Sequence, residues 1–435
     1  MSWKSRTYTG WGRVHSATSD TARPERASHL SRLMAEAPAP ALGNLRSYGD
    51  ACLNDGGKAI DMLRMDRILG FDPETGVLNV EGGCTLGTLA RIFAPQGWLP
   101  AVMPGTGFAT VGGAIANDVH GKNHHHMGSF GQHVLEITLE TPKGKEVLTP
   151  GTAGFNATIG GLGQTGVIQS AKLQMLACKG DVMMVTERRA ENLDAFLALI
   201  NGSTASYSVG WIDATAQGEA LGRGILEEGE TGAGLVPAAK RGKRVPFNAP
   251  GFALSPPIVR MFNNAYFRRV PAAGRTTVKP IDDFFFPLDK IYDWNKLYGK
   301  KGFHQFQCVL PLDQTEVLRE MLKKIARSAL ASPLAVLKRM GPEGDGMISF
   351  PMEGYTLAVD FRNKGRAEDL IAHLGDMTAQ AGGRVYLAKD ALASEAQIRS
   401  MYPNLNDWAA EVAKHDPEGR LNTDMTRRLN LRGPK

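Results

Sequence analysis

Apolar and polar positions along the first part of the chain change period several times within short distances. From residue 36 to 176 they form short runs broken by glycine and proline. "GKAIDM" (57–62) reads as a strand, and "GFDPETGVLNVEGG" (70–83) as strand, turn and strand about Asp72 to Gly76. "TLGTLARIFAPQGW" (85–98) predicts a helix capped by Thr85, with Leu86, Leu89 and Ile92 inward and a Pro-Gln-Gly stop. "LEITLETPKGKEVLTP" (135–150) predicts a hairpin turning at Pro142, Lys143 and Gly144, and "TGVIQSAKLQML" (165–176) a closing strand.

From about 178 the runs lengthen. "SYSVGWIDA", "HQFQCVLP", "LAVLKRMG" and "YTLAVDF" alternate with period two, while "NLDAFLALIN", "TEVLREMLKKIARSAL" and "AEDLIAHLGDMTAQAGG" have the helical period. This predicts one antiparallel sheet covered on one face by helices, its other face free to line a cavity. Alternation in "HQFQCVLP" turns Phe306, Cys308 and Leu310 toward the helices and Gln305 with Gln307 away. The same rule groups Val336, Lys338 and Met340, and Val209, Trp211 and Asp213. Arg384 to Lys389 reads as a returning strand with Tyr386 and Ala388 on one face. The fold class is α+β, with a first domain at 1–177, a second at 178–383, and 384–435 rejoining the first.

At 435 residues, two domains are the expected division. Cys52, Cys84, Cys178 and Cys308 form no C-x-x-C pair and are too sparse for a disulfide scaffold, which points to a reducing compartment. The N-terminus lacks a signal-peptide h-region and no apolar run reaches spanning length, so a cytoplasmic location is expected. A net charge of +6 and a pI near 9.0 suit an anionic cofactor, a phosphorylated substrate or an acidic membrane surface. The basic run "AAKRGKRVP" (238–246) has no interleaved aromatics and reads as solvated loop, so nucleic acid is not an expected partner. The surrounding Gly/Pro-rich stretch, about 216–257, is expected to be poorly ordered without substrate and to border a pocket entrance.

Five of the ten histidines fall in "DVHGKNHHHMGSFGQHV" (118–134). His124, His125 and His126 are adjacent, so on a strand or loop their side chains diverge, and no metal is expected there. The flank "MPGTGFATVGGAIAND" (103–118) is more informative, because glycines leave bare backbone against which a large charged group can lie.

These loops carry a family resemblance. "LGNLRSYGDACLNDGG" (42–57), "MPGTGFATVGGAIANDVHGKNHHHMGSFG" (103–131) and "GGLGQTGVI" (160–168) resemble the FAD-binding loops of the vanillyl-alcohol oxidase (PCMH-type) superfamily. With "FHQFQCVLP", "SFPMEGYTLAVDF" and "YLAKD", nearly the whole chain is most similar to its decaprenylphosphoryl-ribose 2-oxidase branch. The resemblance implies a two-domain flavoprotein with FAD held by Gly43, Arg46, Ser47, Tyr48, Gly49, Asp50, Pro104, Gly105, Thr106, Gly112, Gly113, Asn117, His120, Gly121, Asn123, Gly166, Ile168 and Tyr386. "VGGAIA" lacks the third glycine of a Rossmann fingerprint, which disfavours NAD. Many relatives attach flavin to a His where this chain has Asp50, so non-covalent FAD is expected.

Carried over by position, the substrate pocket takes Lys122, Trp211, Phe285, Gln305, Gln307, Lys338, Met340, Ala358 and Lys389, with Lys389, His120 and Tyr386 as catalytic residues. Ala358, Phe285 and Val209 stand where the family has a cysteine, a tyrosine and a serine. The implied reaction oxidises the ribose 2-hydroxyl of a polyprenylphosphoryl pentose to a 2-keto sugar at the inner membrane face, with a short-chain reductase partner completing an epimerisation. The alternative is oxidation of a soluble sugar, alditol or sugar lactone, and a third reading is a flavin-binding protein without turnover. Lys389 would either accept the hydroxyl proton or, the slightly preferred role, stay charged and stabilise negative charge on the flavin. Lys122 and Lys338 would hold phosphate, and His120 would orient the sugar hydroxyl.

Overall fold

The computed structural model describes residues 3–235 and 242–433. Strands Lys4–Thr9 and Ser16–Ala22 form a hairpin that extends, through Lys58–Asp61, to Ala41–Leu42. Beside it Ile68–Asp72, Val77–Glu81, Val167–Ala177, Val134–Thr141 and Gly144–Leu148 make an antiparallel sheet in that order, and Trp98–Pro100 pairs with the far end of Val167–Ala177. The helix Leu86–Phe93 begins where expected, with the Thr85 hydroxyl accepting from Thr88 N–H. Its buried ridge is Leu86, Leu89, Ala90 and Phe93, and Ile92 points outward, because a 3.6-residue turn carries position 92 past the apolar stripe.

The second region is built on one eight-stranded antiparallel sheet. Its order is Arg275–Pro280, Val182–Ala190, Gly224–Gly232, Tyr207–Ile212, Ala331–Met340, Gly354–Arg362, Phe303–Leu310 and Arg384–Val385. Helices Leu193–Asn201, Thr315–Ser328 and Ala367–Gln380 bury Phe196, Leu322 and Leu374 against Phe306, Cys308, Leu310 and Leu357. Each such leucine contributes about 1.5–3 kcal/mol by leaving water. The side-chain alternation read from "HQFQCVLP" is the one observed, and the face opposite these helices is turned toward the glycine loops.

Three local expectations change. Gly224–Gly232, placed in a poorly ordered stretch, is an inner strand of the sheet buried on both faces, with Ile225 packed against Phe267 and Leu226 in the helix-covered core, so its glycines and glutamates left no apolar alternation to read. Residues 236–241, including the start of the basic run, lie outside the described residues. The returning strand ends at Val385, and Tyr386 to Asp390 close a turn in which Lys389 N–H and Asp390 N–H donate to Tyr386 O. The three histidines form one helical turn, His124–Met127, instead of a strand or loop. Among the described residues no helix is long and apolar enough to cross a membrane.

Candidate functional site

Between the glycine loops and the free face of the large sheet lies a cavity of about 760 Å³. One wall is backbone. Residues 43–48, 103–113 and 163–168 contribute to it, and the first two segments meet at Thr110, whose hydroxyl would sit 2.7 Å from a Cβ on Gly43 and 3.0 Å from one on Gly113. A Cβ on Gly105 would meet nothing within 4 Å, so that position opens into the cavity. Leu45 and Leu162 border the space with φ of 52° and 56°, a left-handed strain that collects at binding sites. The Arg46 guanidinium is stacked on Trp11 at 4.1 Å and Phe108 at 4.6 Å, and its buried Nε has no partner. Asn117 Oδ1 is likewise buried and unpartnered. Bare glycine backbone with orphaned polar atoms fits a large polar ligand such as a dinucleotide.

The other wall is side chain. Lys338 Nζ lies 2.8 Å from His120 Nδ1, and the Gln307 amide atom placed as Nε2 lies 2.9 Å from His120 Nε2 and 3.2 Å from Thr356 Oγ1. An amine donates to Nδ1, so the imidazole proton sits on Nε2 and requires an acceptor. The Gln307 amide is therefore turned end for end, its oxygen receiving both His120 Nε2–H and the Thr356 hydroxyl and its N–H donors freed. Burial, then Lys338, holds His120 well below the usual imidazole range, so it is neutral. The Lys389 ammonium lies 3.8 Å from the centre of the Tyr48 ring.

Behind Gln305 is a residue that sequence reasoning missed. Asp360 is wholly buried, accepts from Gln305 Nε2 at 2.5 Å and Tyr298 Oη at 2.8 Å, and carries a carboxyl raised to about 7 by burial. Its signal was available: in "YTLAVDF" it shares a face with Ala358. Burial also lowers Lys389 to about 7 against the opposing pull of Asp360, Lys338 to about 7 with help from Lys122 and Lys389, and Lys122 to about 8.

Most residues singled out from sequence line this cavity: Gly43, Arg46, Ser47, Tyr48, Pro104, Gly105, Thr106, Gly112, Gly113, Asn117, His120, Gly121, Gly166, Ile168 and Tyr386 on the loop side, and Lys122, Trp211, Gln305, Gln307, Lys338, Ala358 and Lys389 on the sheet side. Five do not. Asp50 forms a two-point ion pair with Arg428, and Gly49 packs where a Cβ would meet Asp390 O at 1.8 Å; both fasten the first loop to the turn that carries Lys389. Asn123 donates to Ala101 O at 2.8 Å. Phe285 packs edge-on against Tyr207, and Met340 lies beneath Tyr386 in a cluster with Val309 and Phe350.

Three further placements bear on chemistry. Tyr386 donates to Asn117 O at 3.0 Å, so its hydroxyl faces the loop wall. Lys122 Nζ is bonded to Phe284 O and lies 3.9 Å from the Phe284 ring centre. His124 Nδ1 accepts from Gly341 N–H at 3.0 Å and His125 bonds Ala205 O at 3.1 Å, so the triplet pins loop to sheet. Among the described residues no cluster could hold a metal ion. Asp289, also missed, accepts from Gly107 N–H at 2.7 Å and Thr106 Oγ1 at 2.8 Å and stiffens the second loop.

Comparisons with known proteins bear on both walls. A family model described as an FAD binding domain matches residues 21–150, and one described as D-arabinono-1,4-lactone oxidase matches residues 299–429. The decaprenylphosphoryl-beta-D-ribose oxidase of Mycolicibacterium smegmatis is 35% identical over 89% of this chain and 88% of its own. An uncharacterized protein of Streptomyces coelicolor is 31% identical over 80% of this chain and 100% of its own. The L-gulono-1,4-lactone dehydrogenase of Mycobacterium tuberculosis is 21% identical over 97% and 98%.

Proposed function

We propose that this chain, which belongs to the PCMH-type FAD-dependent oxidoreductase family, oxidises a secondary hydroxyl of a polyprenylphosphoryl pentose, converting a ribose 2-hydroxyl to the 2-keto sugar. The observation that carries this reading is the facing of Lys389 and the Lys338–His120–Gln307 chain across one cavity whose opposite wall is bare glycine. The name and the 35% identity of the Mycolicibacterium smegmatis relative support the substrate class.

Bound FAD supplies the hydride acceptor for the carbinol carbon. The glycine loops and Arg46 would hold it without a covalent bond, since Asp50 replaces the attachment histidine and is committed to Arg428. The hydroxyl proton needs a base. His120 has both ring nitrogens engaged by Lys338 and Gln307, so it acts as a positioning residue. Lys389, lowered to about 7 by burial, has a populated neutral amine near neutrality and takes the proton. That reverses the slight preference for a charge-stabilising role. Lys338, with His120 holding it from behind, is the cation offered to the substrate phosphate, while Lys122 is already spent on Phe284.

A soluble sugar lactone or alditol is the second reading, favoured by the D-arabinono-1,4-lactone oxidase match over residues 299–429. Anaerobic mixing of the yellow protein with polyprenylphosphoryl ribose, with pentitols and with sugar lactones separates the two. Bleaching by the lipid-linked sugar is expected; bleaching by the soluble compounds alone would replace the first reading with the second. A short-chain reductase consuming the 2-keto product is the expected partner, because a keto sugar must be reduced again to complete an epimerisation.

A further inference from the structure

The rim of the cavity differs from its interior. Arg244, Tyr266, Ile291, Tyr292 and Trp294 border it, and the elements that carry them are adjacent: Lys243–Arg244 pairs with Ile291–Tyr292, Ala249 N–H donates to Lys296 O, and Phe262 stacks on Tyr266 with ring centres 5.8 Å apart. On these elements large apolar side chains face solvent. Phe247 is 69% exposed, Phe252 68% and Met261 67%, with Phe262, Tyr292 and Leu297 beside them. Isolated exposed apolar residues are ordinary, but six around one opening form a patch that water does not favour.

Charge accompanies the patch. Residues 243–301 hold eleven Lys and Arg against four Asp, a net of +7, where the whole chain carries +6. Arg269, Arg275 and Lys279 of this span are paired with Glu187 and Glu227 from outside it, so the uncompensated charge lies on its exposed cations. Lys243, Arg244, Arg260, Lys300 and Lys301 are exposed. Only Arg244 among these five has an acidic neighbour within ion-pair range among the described residues, Asp293 at 3.7 Å. Aromatic and aliphatic tips interleaved with free cations match the boundary of a bilayer bearing anionic headgroups, where rings enter the acyl edge and cations meet phosphate.

We propose that this rim is a docking face for an anionic lipid bilayer, set so that the cavity opens onto the membrane. The inference deepens the lipid-linked reading of the substrate and rests on it: a substrate with a polyprenyl tail would enter sugar-first while its tail stays in lipid.

The test is cosedimentation of the FAD-loaded protein with phosphatidylcholine vesicles and with vesicles containing added phosphatidylglycerol. Binding to the anionic vesicles only, weakened by raised salt, is expected. Phe247→Ser with Phe252→Ser, and separately Lys243→Glu with Arg260→Glu, should each lower partition at least about tenfold. None of these four lines the cavity, so bleaching of the flavin by a short-chain, water-soluble pentosyl phosphate should be unchanged in both variants. Loss of vesicle binding with bleaching intact supports the docking face. Absence of binding to anionic vesicles, equal binding to neutral ones, or variants that bind like the parent overturns it. Concentration-dependent self-association that the phenylalanine variant abolishes, without vesicle binding, also overturns it and assigns the patch to a second copy. If the soluble pentosyl phosphate bleaches neither parent nor variants, the substrate reading fails while the vesicle result stands.

Discussion

The two walls of the cavity are made on opposite principles. The loop wall works by what its residues lack: glycines at 43, 105, 112 and 113 withdraw side chains so that backbone can approach a ligand. The sheet wall works by what its residues bring, with Lys338, Gln305 and Gln307 projected from the two strands that flank Gly354–Arg362 and Lys389 from a turn. A change on the first wall should therefore alter whether cofactor is held, and a change on the second what the held cofactor can do. Variants in which flavin content and rate change separately support that division, and variants in which they change together break it.

The largest effect belongs to the sheet wall. Lys389→Ala should purify with a full complement of flavin, yet its anaerobic substrate-dependent bleaching should slow about a hundredfold or more. Lys389→Arg tests the base role, since a guanidinium keeps the charge but has no neutral form near pH 7 and should rescue almost none of the rate. Wild-type bleaching in the alanine variant would remove Lys389 from the chemistry, and loss of flavin would merge the two walls.

Next comes the loop wall. A Cβ at Gly105 has nothing within 4 Å, so Gly105→Val should fold with the melting temperature of the parent when both are stripped of FAD. The added methyls would still occupy cofactor space, and flavin affinity should fall about tenfold, the usual scale of overpacking. The ratio of flavin to protein absorbance, titrated with FAD, reads this directly. In the parent protein, acid precipitation should release all yellow colour to the supernatant; colour kept in the pellet would contradict non-covalent attachment.

The same contrast explains what the sequence made legible. Missing side chains leave a signature in the letters themselves, so the glycine loops could be read as motifs before any fold was known. From the residues themselves, apart from the family resemblance, the sheet wall was legible through alternation, which assigned Gln305 and Gln307 correctly because "HQFQCVLP" lies within one strand but for its final proline. It failed at 384–389, where pairing stops after Val385 and a turn, invisible to period two, aims Lys389. It failed again at 224–232, where glycines and glutamates masked an inner strand. Asp360 was overlooked because a lone aspartate in a strand looks like a solvated face until its partners Gln305 and Tyr298, distant in sequence, are brought to it.

A smaller effect concerns pH. A base with a pKa near 7 must lose its proton to work, so the bleaching rate should rise with pH through a midpoint near 7 and level off above it. Asp360 pulls the Lys389 pKa upward, so Asp360→Asn should move that midpoint to lower pH, by roughly one pH unit. Lys338 also titrates near 7 and Lys122 near 8, so the profile is to be repeated in Lys338→Met. A midpoint that follows Lys338 instead, or ignores Asp360, would break the assignment of the base.

The smallest expected effect falls where the walls meet. Tyr386 sits on the turn that carries Lys389, stacks on Phe350 with ring centres 4.5 Å apart, and donates its hydroxyl to Asn117 O on the loop wall. Burial raises its pKa above the ordinary phenol value, so the hydroxyl keeps its proton across the working range and cannot serve as a base there. Tyr386→Phe keeps the ring and removes one neutral hydrogen bond, which should cost about 1 kcal/mol of stability. Bleaching should then change by only a few fold, with the pH midpoint unmoved, because Lys389 and its partners are untouched. Tyr386→Ala is the harder test, since it also opens a void above Met340 and should disturb both flavin content and rate. A hundredfold loss in the phenylalanine variant with flavin retained would make the hydroxyl itself catalytic, and would mean that the bond to Asn117 O is exchanged for one to substrate during turnover.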